Sequence, residues 1–72
     1  MERTPVKSSQ IKSIGHNPAT CTLEVEFSNG AVYQYHGVEA DAHADMMASN
    51  SIGAHFHQHI KNKHVTEKIS GD

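Results

Sequence analysis

Thr22-Leu23-Glu24-Val25-Glu26-Phe27 runs into Ser28-Asn29-Gly30 and then Ala31-Val32-Tyr33-Gln34-Tyr35. In the first run Leu23, Val25 and Phe27 alternate with polar neighbours, the period of two that marks a strand with one buried face. Ser28-Asn29-Gly30 has the chemistry of a tight turn, so the two runs predict a β-hairpin. Two registers are open. With Gly30 in the left-handed position of a three-residue loop, Phe27 pairs with Ala31, Val25 with Tyr33 and Leu23 with Tyr35, and both tyrosines join the apolar face. A two-residue Asn-Gly turn would instead send the tyrosines to the face of Glu24 and Glu26. The first register keeps one face coherent and is the one expected.

Upstream, Ser8 to Ile14 reads as a first strand, in which the spacing of Ile11 and Ile14 breaks strict alternation and calls for a bulge. Gly15-His16-Asn17-Pro18-Ala19 reads as the turn that follows, and residues 1–7 as a loose lead-in. Downstream of Gly37 the period changes. Val38, Ala42, Met46 and Ser49 predict an amphipathic helix over 39–49, with Glu39 and Asp41 in its first turn. Asn50-Ser51-Ile52-Gly53 offers an N-cap, and Ile52, Phe56 and Ile60 give a second helical stripe ending near Asn62. Residues 65–72 read as a frayed tail. The expected fold is α+β: a three-stranded antiparallel meander followed by two short helices packed on one face, in a single domain over 8–64.

At 72 residues the chain holds one domain near the lower size limit for an independent core. A single cysteine, Cys21, excludes an internal disulfide and suits a reducing compartment. The start Met1-Glu2-Arg3-Thr4-Pro5 has no apolar run, and no later segment is apolar enough to span a bilayer, so a cytoplasmic chain with no membrane association is expected. Six basic and eight acidic residues give a net charge of −2, which does not advertise nucleic-acid binding. The chain is nevertheless histidine-rich: protonating all seven histidines would carry the sum to +5.

Two groups of residues suggest chemistry. Tyr33 and Tyr35, two apart on a strand, share a face as aromatic stacking platforms for bases do, while Lys61, Lys63 and Lys12 offer charge for phosphate. The plainer reading makes the tyrosines core residues with hydroxyls at the rim. His55 and His59 have the i, i+4 spacing of zinc-binding helices, with His43, Asp45 or His64 as a third ligand. Against this, His57 points another way, Cys21 is distant in sequence and no glutamate follows His55. As half-buried rings flanking Phe56 they need no metal, so no metal or cofactor is expected. A Cys21 pairing with His16 or His36 lacks any orienting carboxylate or oxyanion loop, so no catalysis is expected.

Ser8-Ser9-x-Ile11-x-x-Ile14-Gly15, Leu23-x-Val25-x-Phe27-x-x-Gly30, Tyr33-x-Tyr35-x-x-Val38 and Ser51-x-Gly53-x-x-Phe56 with Ile60 together resemble the KTSC domain, over about residues 6–64. The resemblance implies a small domain found alone in bacteria or at the C-terminus of some lysyl-tRNA synthetases, with Tyr-x-Tyr as its hallmark. It implies no established function, though the synthetase association suggests RNA. His16, His36, His43, His55 and His64 stand where that family commonly has Tyr or Phe. The expected function is therefore a non-catalytic binding module for RNA or another nucleic acid. The alternatives are a protein-interaction or homo-oligomerisation module and, third, a histidine-based metal site.

Overall fold

The computed structural model describes residues 1–71. The central hairpin has the expected register. Strand β3 (Thr22–Phe27) pairs with β4 (Val32–His36), setting Leu23 against Tyr35 and Val25 against Tyr33. The Phe27 N–H donates to the Ala31 carbonyl at 2.8 Å, and Gly30 takes a φ of +93°. That left-handed conformation is open to glycine at little cost, which is why the loop closes with three residues. Strand β2 (Ile11–Asn17) pairs antiparallel with β3, and its register shifts between Ile11 and Ser13. This is the bulge that lets both Ile11 and Ile14 face the core, each 1% exposed.

Among the described residues the sheet has five strands, in the order β1-β2-β3-β4-β5, not three. Strand β1 (Thr4–Pro5) lies in the expected lead-in and pairs with β2. Strand β5 (Thr66–Ser70) lies in the expected tail and pairs antiparallel with β4. Neither carries an apolar period, because β1 has two residues and every residue of β5 is exposed. Backbone pairing forms them, with no buried side-chain face to leave a mark in the sequence. Proline at the outer end of β1 suits an edge, where its missing N–H costs no ladder bond. Asp72, the last residue of the expected tail, lies outside the described residues.

The turn after β2 also falls later than expected. Gly15, His16 and Asn17 belong to the strand, and the chain reverses at 18–21, where the Asn17 side chain accepts from the Ala19 N–H at 3.0 Å. Cys21 sits in that turn with a φ of +53°. Gly15 is needed for a different reason. A Cβ there would come within 2.5 Å of the Glu2 carbonyl oxygen, so the glycine lets the N-terminal segment cross the sheet at close range.

Helices α1 (Ala40–Ala48) and α2 (Ile52–His59) link β4 to β5 and cover one sheet face. The Ser51 hydroxyl caps α2 by accepting from the Ala54 N–H. Met46 from α1, with Phe56 and Ile60 from α2 and the turn beyond it, close over Ile11, Ile14, Leu23, Val25 and Val38, all at most 1% exposed. Each such side chain contributes about 1.5–3 kcal/mol on burial. The opposite face is polar. There the Arg3 guanidinium meets Glu24, lies 3.8 Å from Glu26 and donates to the Ser13 hydroxyl, while Gln34 donates to Glu24 at 2.9 Å. The helical face is thus filled except at one end, and the polar face is occupied by its own ion pairs.

Candidate functional site

At the end of the helical face nearest the 28–30 turn, a cleft of about 400 Å³ opens between the sheet and the last turn of α2. Its walls are aromatic. Phe27 meets Tyr33 edge to face with centroids 5.7 Å apart, Phe56 meets Phe27 at 5.6 Å, and Tyr35 meets Phe56 at 5.2 Å. Edge-to-face pairs of this kind hold rings rigidly, each worth about 0.5–1.5 kcal/mol beyond area burial. Tyr33 remains half-exposed on this wall, whereas Tyr35 is 5% exposed. Burial, with Tyr33 alongside, pushes the Tyr35 phenol up to about 12, so at neutral pH it is an uncharged hydroxyl.

The rim is polar and carries one ammonium. Lys61 and Asn62 reach it from the turn after α2, where Asn62 takes a left-handed φ of +65° as the helix ends. Thr66 contributes from β5 and Asn29 from the hairpin turn. The Asn29 side-chain oxygen already accepts from the Ala31 N–H at 3.0 Å, which leaves its amide hydrogens for a ligand. His57 completes the rim and is held by Gln10, 2.7 Å from its Nε2. Among the described residues no carboxylate lines the cleft. A chain of net charge −2 thus holds a locally positive aromatic opening.

Of the residues singled out in the sequence, Tyr33, Tyr35 and Lys61 come together here. Lys63 is exposed and does not line the cleft, and Lys12 lies with Arg3 and Glu26 on the opposite side of the sheet. Sequence reasoning missed Phe27 and Phe56 as walls because their apolar periods marked them as core. It missed Thr66 and Lys68 with β5 itself, for Lys68 stands opposite Tyr33 in the β4–β5 register.

Four of the seven histidines form two ring pairs. His55 and His59 sit with centroids 4.4 Å apart, as their spacing requires, and His55 Nδ1 is buried without a hydrogen-bond partner. No cluster of three metal-ligating side chains occurs among the described residues. His16 and His43 stack 4.8 Å apart, and the His16 Nε2 donates to the Val38 carbonyl at 2.7 Å.

Burial, and then the charge of His16, lower the pKa of His43 from its ordinary 6.5. Between the two values the unfolded chain binds more protons, so stability is complete above about 6.5 and falls as pH drops below it. Melting at about pH 5.5 is expected below that at about pH 7.5, with His43 contributing to the difference. The difference should narrow in His43→Gln. Coincident melts of the parent chain would contradict it.

The model of the KTSC domain matches residues 7–64. Over 64 residues the chain is 39% identical to an uncharacterized protein of Stutzerimonas stutzeri, covering 89% of this chain and 90% of that one. It is 36% identical over 64 residues to a lysine–tRNA ligase of Nostoc punctiforme, covering 89% of this chain but 11% of the ligase. The crystal structure of a KTSC domain protein from Yersinia pestis matches with a TM-score of 0.90 at 43% identity, covering 96% of this chain and 97% of that one.

Proposed function

This chain belongs to the KTSC domain family, and we propose on that premise that it is a non-catalytic module that binds single-stranded RNA or another nucleic acid through the aromatic cleft. The observation that carries the reading is the charge of that cleft. Its rim has Lys61 and His57 and no carboxylate among the described residues, while Glu24 and Glu26 are engaged by Arg3 across the sheet. Tyr33 supplies a partly open ring for a base, and Lys61, with Lys68 beside Tyr33, supplies charge for the backbone. The ligase relative is consistent with an RNA partner, although the matched region is only 11% of that enzyme. Cys21 as the single thiol fits a cytoplasmic module, and among the described residues no helix is long and apolar enough to cross a membrane.

Two phosphate contacts predict a shallow salt dependence, a slope of log K against log salt of about −1.4 for single strands. Fluorescence anisotropy of a labelled single-stranded RNA at two salt concentrations measures it. Absence of any salt-sensitive binding at both about pH 6 and about pH 7.5 would end the reading.

A second reading rests on β5. Its outer edge is unpaired among the described residues, and Val65 just before it and Ile69 within it are 73% and 45% exposed. Such an edge accepts another strand, which makes self-association or protein binding the alternative function. A sedimentation mass of twice 7.9 kDa would favour it.

A further inference from the structure

We propose that the cleft admits one nucleotide at a time, its base among the aromatic walls and its phosphate at Lys61, and is not a platform on which successive bases stack. The inference deepens the nucleic-acid reading and rests on it. Sheets that stack two or three bases in a row present an open aromatic face. Here the helices take up that face: Ile14, Leu23 and Val25 are at most 1% exposed, and the opening is confined to the end beside Tyr33. The rings around the opening stand nearly at right angles to their neighbours, 79° for Phe27 against Tyr33 and 78° for Tyr35 against Phe56. A flat guest therefore finds no continuous stack of parallel rings to extend.

Size and polarity agree. About 400 Å³ lies toward the small end of ligand clefts, the scale of a monomer unit. The rim amides of Asn29 and Asn62 carry the mixed donors and acceptors that suit a base edge, and the neutral Tyr35 hydroxyl adds another donor. The single ammonium at the rim, Lys61, matches one phosphate.

Tyr33 and Tyr35 are the chain's two tyrosines, so tyrosine-ring NMR signals report on this cleft alone. The intact chain is titrated with uridine and adenosine monophosphates, and separately with the hexanucleotides of each base. The expected result is that a monophosphate moves both tyrosine signals, in the millimolar range. Its affinity should lie within about tenfold of the matching hexanucleotide, the margin left by six equivalent placements and added backbone charge. Lys61→Gln should weaken the monophosphate several-fold and leave the unphosphorylated nucleoside unchanged. A hexanucleotide that moves these signals and binds more than tenfold tighter would overturn the one-nucleotide site while leaving nucleic-acid binding intact. If neither ligand moves them, both readings fall.

Discussion

Phe56→Ala is expected to leave most of the chain unfolded at room temperature. Phe56 is 1% exposed, and its ring joins α2 to the sheet through Phe27 at 5.6 Å and Tyr35 at 5.2 Å. Truncating a buried phenylalanine costs about 3–5 kcal/mol, from lost transfer energy and the cavity left behind. A domain of this size holds about 3–5 kcal/mol in total. The two quantities are comparable, so a single truncation exhausts the reserve. Phe56→Leu keeps most of the volume and should stay folded with a lowered Tm. Circular dichroism and urea titration distinguish them. An alanine variant that melts with the parent chain would show that α2 is not sealed to the sheet as described.

The second large effect is on the polar face. Arg3→Ala should destabilise the chain by about 1–3 kcal/mol, less than the about 3–5 kcal/mol for breaking a fully buried ion pair because the arginine is partly exposed. The cost arises in what remains: Glu24, 5% exposed, would keep only Gln34 as a side-chain partner, and Glu26 only Ser13. Adding Glu24→Gln to Arg3→Ala removes the stranded charge and should recover part of the loss. Denaturant titrations of the two single variants and the double variant form the cycle that measures this coupling. Strict additivity would mean that Arg3 and Glu24 do not interact.

The features legible in the sequence were those that leave a burial period. Leu23, Val25 and Phe27 announced the hairpin, and the need to keep them on one face with Tyr33 and Tyr35 selected the observed register. Ile11 and Ile14 required the bulge, and Met46, Phe56 and Ile60 placed the helices. Strand β5 left no such mark because its side chains are exposed on both faces, and β1 is too short to show a period. Gly15 misled in an instructive way. Glycine signals either a turn or a close backbone approach, and only the position of Glu2 against β2 decides between them. The cleft was half legible for the same reason. Its aromatic walls look like core in the sequence, and its rim depends on where α2 stops and on a strand with no periodic signature. Lys12, matched to phosphate by charge alone, lies on the other side of the sheet.

The central claim is that nucleic acid engages the aromatic cleft and not the polar face. Binding of a labelled single-stranded RNA to Tyr33→Leu and to Lys12→Gln tests it most directly, with melting curves confirming that both variants fold. Base–aromatic stacking is worth about 1–3 kcal/mol per base, so Tyr33→Leu should weaken binding at least about fivefold. Lys12→Gln should leave it unchanged within about twofold, as expected of a residue remote from the cleft. Weakening by Lys12→Gln with Tyr33→Leu unaffected would contradict the claim.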